Sequence, residues 1–388
     1  LETEGSRPLV PGHSEPNLAL KYVTPAEVMR EAGYATLHVG KWHLGDANHY
    51  PETQGFDANI GGTFYGAPKT FWFPYRGPNM NGDKIREYRY VQDLHGGEEG
   101  EYLTDRLTFE ALELLDDVHP RPFFLHMAYH NPHTPIEGKP ELVEYYKKKI
   151  EKMGTASGEH DETGPISSHH ENARYAAMVH TLDENIGRLM DKLEELGVAD
   201  NTLVIFFSDN GGFDQVRDGE QVTSNAPLRS GKGSLYEGGI RVPMIVRWPG
   251  VAQANTVCDQ PVMSTDLYPT MLAALGLEGD PEHNKDVDGL SLAPLLSDPA
   301  RELARDTLHW HYPHYYPTTT PVTAIRHGDW KLLEYYDDGH LELYNLKDDL
   351  GETTDLASER PEIAKDLHER LQRWREEVDA QLPTKNEP

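Results

Sequence analysis

The chain has 388 residues, 37% hydrophobic and 26% charged, the make-up of an ordinary globular protein and long enough to bury a sizeable core. Thirty-six Lys and Arg against 65 Asp and Glu leave a formal charge of −29. A surface that acidic repels phosphate backbones and argues against nucleic-acid binding, so an anionic substrate has to be met by a few locally placed cations. The longest apolar runs, such as 203–207, fall far short of the ~20 residues of a membrane span. The single cysteine, Cys258, excludes an intrachain disulfide and a Cys-based zinc site, and reads as a small core residue.

In chain order, the first twenty residues lack periodicity and read as a loop entering from something upstream. The chain begins at Leu1 without an initiator Met, so the expectation is a sequence lacking its N-terminal portion, with any targeting segment in the part not present. Thr24-Pro25-Ala26-Glu27 has the form of a capping box with proline in the first turn, and predicts a helix ending at Gly33. Ala35–Val39 reads as a strand leading into Gly40-Lys41-Trp42-His43-Leu44-Gly45. Residues 46–100, rich in Gly, Pro, Asn and aromatics, read mostly as loops. Leu103, Leu107, Ala111 and Leu114 recur at helical spacing. Phe123–Tyr129 is a buried-strand pattern running into His130-Asn131-Pro132-His133-Thr134-Pro135.

Residues 147–170 are polar and read as a surface excursion. A long helix follows, carrying Tyr175, Met178, Leu182, Ile186, Leu189 and Leu193 and stopping at Gly197. Thr202–Phe207 is a strand that leads into Ser208-Asp209-Asn210-Gly211-Gly212. Arg241–Trp248 reads as another strand, and Ser264 or Thr265 caps a helix to Leu275. Beyond that, short strand-like pieces alternate with turns such as Asp338-Gly339, and an amphipathic helix with Ile363, Leu367, Leu371 and Trp374 closes the chain. This order predicts an α/β domain over residues 1–305, a largely parallel mixed sheet sandwiched by helices, and a small α+β subdomain over 306–388.

Ligands of open α/β sheets bind beyond the carboxyl ends of the strands. Three predicted strands end in reactive groups: Lys41 and His43, His130 and His133, and Asp209 and Asn210. Asp209-Asn210 offers a carboxylate and an amide oxygen, hard ligands that suit calcium or magnesium better than zinc; the same residues also make ordinary turns. Lys41 beside an imidazole suits an oxyanion. Lys232 stands in Ser230-Gly231-Lys232-Gly233-Ser234, where glycines would let a ligand come near. The stretch lacks the phosphate-loop pattern, so a nucleotide reading is weak.

Together these segments resemble the sulfatase family of the alkaline-phosphatase-like superfold, in the family's order and over nearly the whole chain. Gly33–Gly45 is similar to the second sulfatase signature. Gly55-Phe56-Asp57, Pro132-His133-Thr134-Pro135, Ser208–Gly211 and Gly231-Lys232-Gly233…Glu237-Gly238-Gly239-Ile240-Arg241-Val242-Pro243 complete the set. Leu343-Tyr344-Asn345-Leu346…Asp349…Gly351-Glu352 resembles the family's closing subdomain.

The resemblance implies Asp209 and Asn210 as two ligands of calcium, with magnesium the lesser choice. It implies Lys41 and Lys232 on sulfate oxygens, His133 near the leaving-group oxygen, and His43 in contact with the nucleophile. It also implies a formylglycine nucleophile, made by a maturation enzyme from the Cys or Ser of a Cys/Ser-x-Pro-x-Arg motif, and a periplasmic or extracellular location. That motif and the family's paired aspartates normally precede the Gly33–Gly45 signature, and neither occurs ahead of it in this sequence. The expectation is that roughly a hundred residues preceding Leu1 would hold them, about the size of a small domain, and that the chain alone would be inactive.

The stretches 64–82 and 309–316 read as loops rich in aromatics and histidines, including Phe71, Trp72, Phe73, His309 and His311, and suggest a sulfated carbohydrate as substrate. The same rings would equally serve to fill a domain interface. The competing readings are a phosphatase or phosphodiesterase of the same superfold and a non-catalytic binder of sulfated glycans.

Overall fold

The computed structural model describes residues 7–81, 84–94, 96–153, 159–161, 164–166 and 170–386. Its centre is the strand Ala35–Gly40, uncharged and buried along its whole length. Parallel neighbours flank it on both sides, Ala58–Ile60 and Phe123–Ala128, with Leu37 opposite both Ala58 and Leu125. A strand covered on both faces in this way carries the near-continuous apolar run that parallel sheets require. The one polar ring in it, His38, sits with Nδ1 3.0 Å from His126 Nδ1 and Nε2 3.3 Å from the Gly40 carbonyl. With Nε2–H given to that carbonyl, its Nδ1 is left to accept from His126, and burial holds the imidazole neutral, with its pKa lowered to about 3.

The helix Pro25–Glu31 starts at Thr24, whose hydroxyl accepts from the Glu27 N–H while the Glu27 carboxylate accepts from the Thr24 N–H. The Gly55-Phe56-Asp57 marker is structural. Asp57 Oδ2 accepts from the Thr36 N–H at the start of the central strand, and Phe56 packs with Ala26 and Trp42. The helices Leu103–Val118 and Ala173–Glu195 lay Leu103, Leu107, Ala111 and Met178 against Val39 in the main core.

The stretch read as a polar excursion begins inside a helix, Pro140–Met153, which packs on Ala173–Glu195. The repeated lysines there form its solvent face. Residues 154–158, 162–163 and 167–169 of that excursion lie outside the described residues. The loop-rich stretch 46–100 contains an antiparallel hairpin, Gly77–Asn81 with Lys84–Arg89.

The strand Val204–Phe207 pairs with Met244–Arg247, antiparallel, with Met244 opposite Phe207. The helix Leu267–Leu275 is entered through a turn, Ser264–Asp266, in which Asp266 and not Ser264 or Thr265 does the anchoring. The Asp266 carboxylate takes the Met263 N–H and both arms of the Arg305 guanidinium.

The C-terminal part is an antiparallel meander, Thr307–Tyr312, Val322–His327, Trp330–Tyr335 and Leu341–Asn345. Against it lies the helix Pro361–Glu377, whose Leu367 and Leu371 cover Ile325, Leu332 and Leu343. Residues 309–312, read as a loop, are strand because alternate side chains pack on Val322 and Ala324. Within the expected N-terminal loop, Leu9–Val10 pairs with Thr384–Lys385. Cys258 is exposed, in a run of exposed residues, and is no core residue. That segment carries no apolar periodicity to fold it inward. No helix among the described residues is long and apolar enough to cross a membrane.

Candidate active site

Lys41 leaves the central strand at its carboxyl end, its N–H donating to the Ala128 carbonyl at 2.7 Å. The turn needs glycine before it: Gly40 has φ +111°, and a Cβ there would lie 2.0 Å from the Ala128 oxygen. His43 adopts φ 61°, unusual for a residue with a side chain, and is held by its N–H on the Thr63 carbonyl (2.9 Å). Gly66 lies flat against its imidazole, where a Cβ would come within 2.5 Å of Nδ1.

His130 and His133 follow Phe123–Ala128. Asp209 and Asn210 follow Val204–Phe207. Lys41 Nζ lies 3.9 Å from Asp209 Oδ2, whose side chain is 70% exposed. The Gly211 N–H donates to the Gly239 carbonyl, and the Lys232 N–H to the Gly212 carbonyl. A Cβ on Gly211 would lie 1.7 Å from the Gly238 oxygen. These glycines therefore press backbone against backbone and draw the Asp209 and Lys232 segments together; the expected room for a ligand at the glycines themselves is filled by chain.

The charges report the same convergence. The Lys232 ammonium has its pKa lowered by burial and then by Lys41, with Asp209 opposing. Burial lowers His43, and the charges of Lys41, Lys232 and Arg89 lower it further. Burial likewise takes His133 down to about 4 against the pull of its bond to the Thr134 carbonyl, with Lys232 and Lys41 adding to the fall. His130 is pushed to about 3 by burial, then by Lys41 and His133.

At neutral pH the imidazoles of His130 and His133 are thus uncharged, and the two lysines make a positive focus in a chain of charge −29. His133 Nδ1, 2.9 Å from the Thr134 carbonyl, is assigned the proton by that bond, so Nε2 carries the lone pair. Among the described residues, neither nitrogen of buried His130 has a hydrogen-bond partner. Arg89, which the sequence did not single out, reaches this field from the hairpin, its guanidinium 2.6 Å from Glu87.

A calcium ion takes six to eight oxygen ligands in general. Asp209 and Asn210 supply donors of the right kind, and the Asn210 amide nitrogen is spent on the Gly211 carbonyl, which leaves its oxygen for a cation. Among the described residues, however, no group of three or more His, Cys, Asp or Glu gathers at one point. The donor chemistry fits; two residues do not complete the shell.

His309 and His311 are not brought to this cluster. His309 stacks on Trp374, centroids 4.5 Å apart and ring planes nearly parallel. His311 bridges Thr323 Oγ1 and the Gln381 carbonyl. The charges acting on them are Asp288, and Arg375 with His314, not the lysines of the site. Phe71 is buried against Tyr102 in the main core, and Trp72 meets the same ring edge-on.

The sequence also left out what holds the Lys232 segment in place. Arg229 donates to Tyr344 Oη and to the Glu352 carbonyl. The Glu237 N–H donates to Glu352 Oε2. Lys331, fully buried, hydrogen-bonds Glu237 at 2.9 Å and lies 2.8 Å from Glu352 Oε1, a contact of charge outside hydrogen-bond geometry. The closing motif ending in Glu352 therefore clamps the site loop to the C-terminal sheet.

Known proteins share this sequence pattern and this fold. The family profile described as Sulfatase matches residues 6–277, and one described as N-sulphoglucosamine sulphohydrolase, C-terminal, matches residues 231–377. The chain is 30% identical to a sulfatase of Formosa agariphila, over 95% of its own length and 72% of the relative's. It is 32% identical to the N-acetylgalactosamine-6-sulfatase of Homo sapiens, over 78% of its length but 56% of that protein's. Its fold matches that of Ps i-CgsB in complex with k-i-k-neocarrahexaose with a TM-score of 0.72 and 27% identity, covering 95% of this chain and 77% of that one.

Proposed function

On the premise that the chain belongs to the sulfatase family, we propose that its site cleaves the sulfate monoester of a sulfated carbohydrate. The observation that carries this reading is the pair Lys41 and Lys232. Each lowers the pKa of the same neutral imidazole, His133, and the carboxylate near them is largely exposed. Two such ammonium groups favour a small tetrahedral anion, and favour it more as charge builds on its oxygens during cleavage.

The bound anion raises the pKa of His133 from its value of about 4, so Nε2 takes up a proton with the ester. As the S–O bond breaks, that proton passes from Nε2 to the departing alcohol oxygen. His43, held in place by Thr63 and Gly66 and within the field of both lysines, is suited to contact the attacking group.

Asp209 and Asn210 would hold calcium in company with further oxygen donors, and the ion would add positive charge at the sulfate oxygens. Attack on sulfur is assigned by the family to a formylglycine; the Cys/Ser-x-Pro-x-Arg match in these 388 residues, Ser297-Asp298-Pro299-Ala300-Arg301, starts at the end of the short helix Ala293–Ser297 and not ahead of the Gly33–Gly45 signature, where the family has it. Carbohydrate as the alcohol is supported by the names of the similar proteins: one is an N-acetylgalactosamine-6-sulfatase, and the Ps i-CgsB structure holds a neocarrahexaose.

The test is hydrolysis of paired nitrophenyl sulfate and phosphate esters by the protein expressed from its full reading frame. Preference for the sulfate is expected. Lys232→Ala should cut kcat/KM on the sulfate by about a hundredfold or more. Preference for the phosphate overturns the reading in favour of a phosphatase. Tight binding of sulfated sugar with no turnover of either ester identifies a non-catalytic binder instead.

A further inference from the structure

The hairpin beside His43 carries an aromatic surface that the core does not use. Phe64 is 45% exposed and its ring meets Tyr65 with centroids 4.0 Å apart. Tyr65 continues the surface: its hydroxyl donates to the Tyr88 carbonyl, and its ring packs edge-on against Tyr90 at 5.6 Å. Tyr88 and Tyr90 are 51% and 42% exposed. They line a cavity of about 460 Å³ that also holds Arg76 and Asp93. Arg76 is exposed and has no ion-pair partner among the described residues.

This surface adjoins His43 through two residues of the chain. Residue 66, next to Tyr65, is the glycine lying on the His43 ring, and Arg89, between Tyr88 and Tyr90, acts on the charge of His43. Exposed tyrosines beside a cation and a carboxylate are what a pyranose ring with an anionic substituent needs. The ring face stacks, the hydroxyls bond to the carboxylate, and the anion pairs with the guanidinium. The cavity volume lies within the range of small-ligand sites.

Resting on the reading of Lys41 and Lys232 as a sulfate site, we propose that the cavity bounded by Tyr88, Tyr90, Arg76 and Asp93, reached across Phe64 and Tyr65, is a second sugar subsite. It receives the anionic residue next to the one whose sulfate is cleaved. The substrate class is then a sulfated or otherwise acidic oligosaccharide of at least two rings, and the hairpin sets the preference for chain over monosaccharide.

The experiment is calorimetric titration of the chain with N-acetylgalactosamine 6-sulfate and with an acidic tetrasaccharide ending in it. Wild-type protein is expected to bind the tetrasaccharide on the order of tenfold or more tighter than the monosaccharide. Tyr90→Ala and Arg76→Ala should each remove most of that advantage and leave the monosaccharide affinity unchanged, and Tyr90→Phe should keep it.

Equal affinity for the two ligands in wild-type protein, or unchanged tetrasaccharide binding in both alanine variants, overturns the subsite. Lys232→Ala separates the two readings. If it leaves monosaccharide binding intact, the sulfate site is wrong, whereas a subsite failure shows only in the hairpin variants. Both positions, at the two ends of the hairpin, are exposed, and an unchanged circular dichroism spectrum removes misfolding as an explanation.

Discussion

Two lysines tied to the same loop live under opposite rules. Lys331, in the C-terminal sheet, is fully buried and sits between the carboxylates of Glu237 and Glu352. Lys232, a little ahead of Glu237 in sequence, faces another lysine, and the carboxylate acting on it, Asp209, is largely in solvent. A buried ion pair satisfied from within the fold holds parts together and is lost at high cost when one partner goes. A pair of like charges held together by backbone contacts, with its nearest carboxylate mostly in solvent, favours an external anion. The same side chain is a structural pin in one region and, as proposed, a ligand-binding group in the other, and the difference lies in whether the fold supplies the counter-charge.

The comparison breaks most visibly at Lys331. Lys331→Met should destabilise the protein by about 3–5 kcal/mol, because it leaves two carboxylates buried without their cation. Denaturant melts measure the loss, and adding Glu237→Gln and Glu352→Gln should recover much of it. A single variant as stable as wild type would show that the ion cluster does not clamp the two parts.

Acid sharpens the contrast from the side of the site. His38 and His130 are buried neutral with pKa values of about 3, against 6.5 for an ordinary histidine. Their contribution to stability is complete above 6.5 and is lost as pH falls from there toward 3, since the unfolded chain binds the protons first. The loss is on the order of 3 kcal/mol for each by pH 4. His38→Gln, which keeps polar contacts but does not titrate there, should flatten the pH dependence of the melting temperature; an unaltered slope would remove His38 from this account.

At Lys232 the effect is on ligand and not on fold. Inorganic sulfate at a hundred times its Kd should stabilise wild-type protein by about 2.7 kcal/mol. Lys232→Met should abolish this shift while leaving the unliganded melt unchanged or slightly higher, because it removes a repulsion. Since the ammonium's pKa is lowered in the fold, sulfate affinity in wild type should begin to fall, as pH rises, below the ordinary lysine value of 10.5. Thermal shift across pH reads both.

The smallest change is at His309. His309→Ala removes its stacking on Trp374 and should cost about 1 kcal/mol with no change in sulfate binding. A change in sulfate affinity would bring that ring back into the site.

Much of the candidate site is legible in sequence because its groups sit where apolar strands stop. Lys41, His133 and Asp209 each follow a run that reads as strand; the first two leave neighbouring parallel strands at the same edge, and Asp209 follows Val204–Phe207, which pairs with Met244–Arg247 in a sheet of its own. His309 and His311 were misplaced because their aromatic neighbours were read as a loop. In the structure they alternate along a strand, where Thr323 and Trp374 claim them. Cys258 was misread for the same kind of reason: residue type argues for burial, but its neighbours offer nothing to bury it with. Tyr88 and Tyr90 carry no such signal in sequence, because an exposed ring and a core ring are the same residue type until packing sets their exposure.

Capping, periodicity and the order of strands and helices are properties of a few consecutive residues, so the chain written out was enough to establish the capped helix at Thr24, the strands that deliver Lys41, His133 and Asp209, and the amphipathic helix that closes the C-terminal sheet. The meeting of Lys41 with Lys232, the locking of Glu237 and Glu352 on Lys331, and the exposure of Tyr88 and Tyr90 depend on residues far apart in sequence. Their energies come from burial and from which charge ends nearest which, and those quantities exist only once the whole chain has packed.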